Sequence, residues 1–364
     1  MTVRDVNVNM LDHMDPHARL YREVLRDVSR SFYLTLRLLP ASMQRPCALG
    51  YLLARLSDTI ADTSTVPADI RLEHLTEFQR VLTTPEAAAH FQAHLLNDIE
   101  SHLHHDGERA LALHTSDCFS ELHRFDPPFQ EAIQEVLRPI TRGQSSDLEH
   151  FADASPDHPQ ALPGAKELNT YTDEVAGCVG RFWTQLGFLT DERFAELDQT
   201  GMEALGTKYG QGLQLLNILR DLPEDLANGR CYLPEEELTA VGWEPDRSWK
   251  EQIPALKNIA HRWEAKAEAG LQAGLDYSNL LRRRRTRIAT ALPALIGRET
   301  LVLLRGQGEE RFRSKVKITR KETRHCLKRA LWLTLWNRPF QIGEIPSAME
   351  PQTEGVPLSE GAQS

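Results

Sequence analysis

Cysteine is sparse in this sequence, and its spacing indicates neither a disulfide framework nor a zinc site. The five cysteines are odd in number, lie far apart along the chain and never form a CxxC pair. Small secreted domains that depend on disulfides carry more cysteines at closer spacing. We therefore predict a protein that folds in a reducing environment.

Long apolar runs and a secretion signal are also absent. The stretch ALWLTLW at 330–336 is far shorter than the roughly 18 apolar residues that a membrane-spanning helix requires. The N-terminal residues MTVRDVNVNMLDHMDPH are polar and include acids where a signal peptide would have a basic start and an apolar segment. These features predict a cytoplasmic protein with at most peripheral membrane contact.

Net positive charge and a nucleotide-binding glycine motif are missing as well. The net charge of −10 argues against a general nucleic-acid binder, although basic residues outnumber acids between Arg282 and Arg329. That local excess fits either a site for an anionic partner or a solvated helix face. YGQGLQ at 209–214 lacks the third glycine of a GxGxxG motif and a preceding strand, so no Rossmann unit is predicted.

Helical periodicity is what the sequence has in abundance. Apolar residues recur at three- and four-residue steps, as between Leu49 and Ile60, whereas alternating strand patterns are nearly absent. The clearest interruptions are residues 145–165, predicted to be a loop between helices, and the tail from Gly343, predicted to be disordered. The pattern predicts an all-α fold.

A first acidic motif lies in the helical segment YLLARLSDTIAD at 51–62. Asp58 and Asp62 are four residues apart, so a helix places both carboxylates on one face, together with Tyr51 and Arg55. Two like charges at this spacing destabilise a helix unless a positive group lies between them. Mg²⁺ prefers such carboxylate oxygens and commonly keeps water and substrate phosphates as its other ligands.

A second acidic motif is QLLNILRDLPED at 214–225. Its polar side chains form one stripe between apolar residues: Gln214, Asn217, Asp221 and Asp225. A polar stripe in so apolar a segment is hard to explain as a solvent-facing surface. A surface helix with acids would explain one such motif, but two motifs in one helical chain favour a functional site.

Metal ions held between two aspartate-bearing helices suit diphosphate chemistry. A diphosphate leaves an allylic carbon readily when its developing charge is neutralised, and no covalent nucleophile is required. Carboxylates projecting into the core of a helical bundle are a known way to build such a site. The two motifs together predict a Mg²⁺-dependent enzyme that acts on an allylic diphosphate.

Several segments resemble the squalene and phytoene synthase family of head-to-head prenyl synthases. They occur in the family's order and spacing over about residues 20–300, and they read SRSF at 29–32, DTIAD at 58–62, YTDEVAGCVG at 171–180, LQLLNILRDLPED at 213–225 and GRCYLP at 229–234. The resemblance implies a single all-α isoprenoid-synthase bundle with a central cavity, where two farnesyl or geranylgeranyl chains join between their C1 ends. We expect an N-terminal arm at 1–18, the catalytic domain at 19–340 and a disordered tail at 341–364.

The resemblance also implies roles for individual residues. The Mg²⁺ ligands would be Asp58, Asp62, Asp221 and Asp225. The diphosphate and prenyl sites would be lined by Ser29, Ser31, Phe32, Tyr51, Arg55, Gln214, Asn217 and Arg220. Tyr171 matches the family tyrosine that assists the first condensation, by stabilising the carbocation or by helping to remove a proton. Gly177 and Gly180 suit either close helix approach or bound substrate.

Two departures from the family pattern bear on this site. Pro223 lies between the two aspartates of the second motif, where it should remove one backbone hydrogen bond and kink the helix. Such a kink would change how the second pair faces the first. Asp173 and Glu174 stand where squalene synthases often carry less acidic residues, and we expect both to face water.

Three features favour squalene as the product: DTIAD, the segment LPALIGRETLVLL at 292–304, and a basic segment at 315–321. The resemblance of the basic segment implies that Lys315, Lys317 and Arg320 bind NADPH, which squalene synthases use to reduce presqualene diphosphate. A solvated basic edge is the alternative for this segment. The expected substrate is farnesyl diphosphate, with geranylgeranyl diphosphate as the alternative donor.

Other functions stay open at this stage. A phytoene- or dehydrosqualene-type synthase, or a presqualene diphosphate synthase, would share the two acidic motifs without using a reductant. A non-catalytic scaffold is disfavoured, because clustered carboxylates cost stability when they are unpaired. The oligomeric state cannot be read from the sequence.

A histidine-rich segment is a further candidate metal site. It contains His102, His104, His105 and Asp106. The string SHLHHDGE is better explained as a helix end that runs into a turn at Gly107.

Overall fold

The fold is all-α, as the apolar periodicity predicts. The structure is a computed structural model, and it describes residues 19–29, 32–156, 158–244 and 247–341. The expected N-terminal arm at 1–18, nearly all of the expected tail at 341–364 and the candidate Ser31 lie outside the described residues.

Helices form most of the described chain. We number them α1 (Leu25–Ser29), α2 (Phe32–Leu38), α3 (Ala41–Asp62), α4 (Ala68–Val81), α5 (Ala88–Ile99), α6 (Asp106–Leu113), α7 (Thr115–Leu122), α8 (Pro127–His150), α9 (Ala165–Thr172), α10 (Cys178–Thr190), α11 (Gln199–Ala227), α12 (Glu235–Thr239), α13 (Ile253–Leu280), α14 (Arg284–Gly306) and α15 (Arg320–Leu335). Two π-helical segments, Leu20–Val24 and Asp173–Gly177, precede α1 and α10. None of these helices is long and apolar enough to cross a bilayer.

Short elements complete the architecture. Single 3₁₀ turns occur at Pro85–Ala87, Glu100–His102, Trp249–Glu251 and Glu310–Phe312. The strands β1 (Gln160–Leu162) and β2 (Arg230–Pro234) pair in parallel as a two-stranded sheet.

Helix α11 lies at the centre of the molecule and packs against α10 and α13. Its first turn is capped by Asp198, whose side chain accepts a hydrogen bond from the Gly201 amide at 2.9 Å. Glycines allow the backbones to approach closely, because a Cβ on Gly212 would lie 2.6 Å from the Cα of Gly270 in α13. The long helix that carries the second acidic motif is thereby fixed between two neighbours.

The predicted loop at 145–165 was placed partly wrongly. Helix α8 continues to His150, because Leu148 is buried at helical spacing against the core, and only the residues after it form the connection. That connection also contains β1, which the sequence pattern did not indicate. The correction matters for the site, because it places Asp147 on the last turns of α8.

Candidate functional site

The first acidic motif lies at the C-terminal end of α3. The Arg55 guanidinium forms ion pairs with Asp58 and with Glu108 of α6. Tyr51, one turn earlier, donates a hydrogen bond to the Val28 carbonyl at 3.2 Å. The helix therefore presents its polar side chains along one stripe, as the four-residue spacing predicts.

The carboxylates of this motif are incompletely neutralised. Enclosure by protein raises the pKa of Asp58 to about 7, and the negative charge of Asp62 adds to the rise, while Arg55 opposes it. Forty per cent of the Asp58 side chain is nevertheless accessible to solvent. Asp62 is exposed and forms no salt bridge within the described ranges. The pair thus combines a surplus of negative charge with access for a ligand.

The second motif lies on the last turns of α11, and Pro223 does not interrupt this helix. Residues 199–227 form one continuous helix in which Pro223 is buried. The helix therefore does not end at this proline, although the proline nitrogen donates no backbone hydrogen bond. Leu219, Leu222 and Leu226 are buried around the polar stripe. The apolar side of α11 thus holds the helix in the core while its aspartates face a cleft.

The two aspartates of the second motif have different surroundings. Asp221 accepts two hydrogen bonds from Arg220, at 2.7 and 2.9 Å, and pairs with the Lys315 ammonium at 2.9 Å. These cations lower the pKa of Asp221 although burial opposes them. Asp225 forms no salt bridge among the residues described, and burial followed by the charge of Asp221 raises its pKa to about 7.

The two motifs meet at one polar cavity of about 420 Å³. Asp62 from the first motif and Asp225 from the second both line it, and so do the guanidinium-bearing residues Arg71 and Arg230. Acids from two helices and two arginines therefore surround a single space. Such a mixture can hold a divalent cation together with an anionic group, because oxygen ligands bind the cation and arginines bind phosphate oxygens.

Tyr171 lies beside this arrangement. Burial raises its pKa well above the usual value, and the charges of Asp147, Asp58 and Asp225 add to the rise. Its ring stacks on Tyr232, with centroids 5.1 Å apart. Tyr171 is therefore a protonated phenol that is close to acids of both motifs.

An apolar cavity of about 200 Å³ lies along the N-terminal side of the polar stripe on α11. Phe32, Trp183 and Leu213 are among its apolar lining residues, and Gln214 and Asn217 contribute its polar edge. Both amides belong to the same helical stripe as Asp221 and Asp225. Helix α11 thus connects an apolar cavity to a polar one.

The predicted binding residues differ in how the structure places them. Phe32 contacts the Tyr51 ring at a centroid distance of 5.0 Å and lines the apolar cavity. Ser29 is only 3% exposed, and its hydroxyl donates to the Leu25 carbonyl of its own helix. Its expected place in the diphosphate site is therefore not supported, because the hydroxyl is used within α1.

The cationic residues of the basic segment at 315–321 do not share one environment. Lys315 points at the second motif, where it pairs with Asp221 and, at 2.6 Å, with Glu224. Lys317 and Arg320 are exposed and form no salt bridge in the described part of the chain. The three cations expected to act together thus have different environments.

Three other sequence expectations need correction or refinement. Asp173 and Glu174, expected to face water, also form ion pairs, with Arg181 at 2.8 Å and Arg142 at 2.6 Å, while 36% of the Asp173 side chain and 17% of the Glu174 side chain are exposed. Gly180 packs where α10 meets α11, since a Cβ there would overlap the Gly206 carbonyl, and it also lines the apolar cavity. Both expectations for this glycine are therefore compatible with its position.

The histidine-rich segment does form a helix end, but the turn lies earlier than predicted. The 3₁₀ turn ends at His102, and Gly107 already belongs to the first turn of α6. The His105 ring nitrogen accepts the Gly107 amide hydrogen bond at 3.1 Å, which caps α6. This segment is not among the metal-ligand groups within the described residues.

Sequence reasoning assigned no role to several residues around the cavities: Arg71, Glu108, Asp147, Arg230 and Tyr232. A signal existed for two of them, because Arg230 and Tyr232 belong to the GRCYLP segment. Both residues belong to strand β2, which follows α11 in the chain and packs against that helix. The other three are brought in by tertiary contacts from α4, α6 and α8.

Comparison with known proteins identifies related sequences along most of the chain. The family model for squalene/phytoene synthase matches residues 25–322. Squalene synthase ERG9 of Saccharomyces cerevisiae is 28% identical over 240 residues, covering 65% of this chain and 47% of the yeast protein. The match thus spans about half the length of that relative. Phytoene synthase of Thermus thermophilus is 28% identical over 347 residues, covering 94% of this chain and 98% of the bacterial protein.

Solved structures share the fold. The complex of TcSQS with the ligand E5700 has a TM-score of 0.71 at 21% identity and covers 88% of each chain. A dehydrosqualene synthase in complex with a ligand has a TM-score of 0.60 at 22% identity, covering 88% of this chain and all of that one. These likenesses confirm the prediction of an all-α bundle.

Proposed function

The chain belongs to the squalene/phytoene synthase family, and from this premise we propose that it joins two prenyl diphosphates head to head. We propose farnesyl diphosphate as the substrate, presqualene diphosphate as the first product and squalene as the final one. The observation that supports this most is the polar cavity lined by Asp62 and Asp225, one from each acidic motif. Residues 19–340 would form the catalytic domain.

The acidic residues suit Mg²⁺, which this family typically uses for its diphosphate substrate. Asp62 and Asp225 form no salt bridge within the described residues, and all the candidate donors are carboxylate oxygens, which a hard cation prefers. Asp58, Asp62, Asp221 and Asp225 would hold the ion. When bound, Mg²⁺ supplies neutralisation of the charge that builds up on a departing diphosphate.

The surrounding cations would orient the diphosphate. Arg71 and Arg230 line the polar cavity, and an arginine can donate two parallel hydrogen bonds to phosphate oxygens. Arg71 already donates to the Ala61 carbonyl, which fixes its side chain against the end of α3. The Arg71 side chain would therefore already be oriented before the substrate binds.

The prenyl chain would occupy the apolar cavity. Its walls are formed by α2, α10, α11, α13 and α14, and its lining is apolar apart from a few residues such as Gln214 and Asn217. These two amides would lie where the apolar tail ends and the diphosphate begins, because they belong to the stripe that leads to Asp221 and Asp225. A dry environment of this kind protects a carbocation from water.

We propose that Tyr171 acts as a neutral hydroxyl in the first condensation. Its raised pKa keeps the phenol protonated, and its ring is fixed against Tyr232. A protonated hydroxyl can orient a diphosphate oxygen or relay a proton released from carbon. Both actions concern the transition state more than the resting complex.

The reductive step is supported by the basic segment. The exposed Lys317 and Arg320 form no salt bridge in the ranges described, so they can meet the phosphates of NADPH, while Lys315 connects that segment to the second motif. NADPH supplies the hydride that converts the rearranged presqualene cation to squalene. The Thermus phytoene synthase match keeps a synthase without reductant, or with geranylgeranyl diphosphate, as the alternative.

One experiment separates these outcomes. Purified protein is incubated with Mg²⁺ and either farnesyl or geranylgeranyl diphosphate, with and without NADPH, and the products are separated by mass. We expect presqualene diphosphate from farnesyl diphosphate without NADPH, and squalene when NADPH is added. A product profile that NADPH does not change would remove the squalene assignment and leave the condensation standing. No condensed product under any condition would overturn both, in favour of a scaffold.

We also propose peripheral membrane contact through α15. Leu331, Trp332 and Leu335 lie on the face of α15 opposite its buried residues, and Trp336 follows directly after the helix; the four side chains are 46–68% exposed. Exposed Arg324 and Lys328 flank this face, a combination that suits the interface of an anionic bilayer. Sedimentation with anionic vesicles should capture the wild type and lose a Trp332→Ser/Trp336→Ser variant. Equal sedimentation of both proteins would contradict this contact.

A further inference from the structure

A group of potential metal ligands lies outside the aspartate cavity, between α4 and α5. His74 comes from α4, and His94 and Asp98 come from α5, four residues apart on one helix face. One ligand atom from each residue lies within 4.8 Å of the other two. The sequence did not indicate this group, because its members belong to two helices and share no short motif.

The separations of the ligand atoms fit a tetrahedral zinc ion. His74 Nε2 lies 3.0 Å from Asp98 Oδ2, and His94 Nε2 lies 3.5 Å from the same oxygen. Zinc binds histidine nitrogen and carboxylate oxygen at about 2.0–2.2 Å, which puts neighbouring ligands of a tetrahedral ion about 3.3 Å apart. The two imidazole rings have centroids 4.6 Å apart and are inclined at 59°, so they converge on the carboxylate without stacking.

Hydrogen bonds from neighbouring residues hold these groups in orientation. The His94 Nδ1 atom contacts the Glu77 carboxylate at 2.9 Å, which directs Nε2 toward His74 and Asp98. The other carboxylate oxygen of Asp98 accepts a hydrogen bond from the Asn97 side chain at 2.7 Å, so that Oδ2 remains for the group. A carboxylate on the far nitrogen of a histidine is the usual support for a metal ligand.

His74 is the buried member of the group. Its side chain is fully inaccessible, and its Nδ1 has no hydrogen-bond partner in the described part of the chain. The polar contacts of this ring are therefore made on the side that faces Asp98 and His94.

The donor set selects the kind of metal. Two imidazoles and one carboxylate suit Zn²⁺ or a similar late divalent ion, whereas Mg²⁺ prefers oxygen ligands throughout. The exposed fractions of 34% for His94 and 23% for Asp98 leave an approach from solvent and space for a water as fourth ligand. Both requirements of a three-ligand zinc site, convergent donors and an open position, are thus met.

We propose that His74, His94 and Asp98 bind a Zn²⁺ ion that joins α4 to α5, separate from the Mg²⁺ site. Arg71, which lines the polar cavity, lies on α4 one turn before His74. The bound ion would stabilise the position of α4 and, with it, the arginine that faces the diphosphate cavity. The site has no part in the chemical step.

The test measures metal content. The full chain is incubated with excess Zn²⁺ in the presence of a large excess of Mg²⁺ and desalted, and zinc per chain is measured by inductively coupled plasma mass spectrometry. His94→Ala and Asp98→Asn are the test variants, because both side chains are partly exposed and their loss should leave the fold intact. His104→Ala serves as a surface-histidine control, and Asp225→Asn tests for zinc in the aspartate cavity.

We expect one retained Zn²⁺ in the wild type, the His104→Ala variant and the Asp225→Asn variant. Retention should fall by one ion in the His94→Ala and Asp98→Asn variants, with circular dichroism unchanged. The wild-type Tm should rise by several degrees with Zn²⁺, and these two variants should lose that rise. Equal zinc content in all five proteins, zinc lost only with Asp225, or no zinc in the wild type would overturn the proposal and leave a hydrogen-bonded His–Asp contact.

Discussion

The two acidic motifs have the same four-residue spacing but different neutralisation. In the first, burial and the negative charge of Asp62 raise the pKa of Asp58, and Arg55, which Asp58 shares with Glu108, opposes the rise. In the second, Asp221 is bonded to Arg220 and to Lys315, which it shares with Glu224, and its pKa is lowered. Burial raises the pKa of Asp225, one turn later. The aspartates of the two motifs thus have the same spacing in the sequence but different numbers of cationic partners in the fold.

This difference shows that the cations decide which carboxylates remain available. An aspartate that is already bonded to two cations gains less from a metal ion than one that is bonded to a single cation or to none. Asp58, Asp62 and Asp225 are therefore the stronger candidates for metal ligands. Asp221 would bind by exchanging Lys315 for the ion, or would act by holding Lys315 at the cavity.

The largest expected effect comes from removing one of the less neutralised carboxylates. Asp58→Asn and Asp225→Asn should each lower kcat by about 10³-fold, because each would remove a ligand that helps to stabilise the leaving diphosphate. Steady-state assays at saturating Mg²⁺ measure this loss. Asp69→Asn, on the exposed side of α4, is the matched control and should retain wild-type activity. Activity of either site variant within twofold of wild type would mean that the motifs are not the site.

Asp221→Asn should lower activity less than Asp225→Asn, so the two variants compare the two aspartates of the second motif. We expect kcat to fall by about 10²-fold, since Arg220 and Lys315 would lose a partner but the carboxylates facing the cavity would remain. The same assay compares it with Asp225→Asn. If Asp221→Asn proved more damaging than Asp225→Asn, the ranking by charge balance would be wrong.

Tyr171 lies near both motifs and tests whether they share one reaction centre. Tyr171→Phe keeps the ring stacked on Tyr232 but removes the hydroxyl. We expect kcat for the first condensation to fall by about 10²-fold with KM nearly unchanged, which is typical of a group that acts in the transition state. A change confined to KM would make Tyr171 a binding residue.

The smallest effects are expected in the basic segment. Lys315→Gln removes the contact with Asp221 and Glu224, so it should raise KM about tenfold for both the prenyl diphosphate and NADPH. Lys317→Gln, two residues later and exposed, should raise KM for NADPH alone. If the two variants had the same KM values for the prenyl diphosphate and for NADPH, the contact of Lys315 with the second motif would have no effect on activity.

The sequence predicted the fold and both motifs because their information is local. Apolar residues at helical spacing and carboxylates four apart are visible in any short window. Arg71, Glu108 and Asp147 could not be assigned in this way, because they reach the site only through the tertiary packing of α4, α6 and α8. Arg71 lines the polar cavity, Glu108 pairs with Arg55, and Asp147 pairs with Arg230. Pro223 lies inside α11 without ending it, and the packing of α11 against α10 and α13 offsets the backbone hydrogen bond that a proline removes.

The central claim is that the two motifs act as one site, and a double-mutant cycle tests it most directly. Condensation rates are measured for wild type, Asp58→Asn, Asp225→Asn and the double variant, with circular dichroism as a check on folding. If both carboxylates serve one metal-bound diphosphate, the double variant should be nearly as active as the worse single variant. A loss in the double variant equal to the product of the two single losses would mean that the motifs act independently, and would contradict the account.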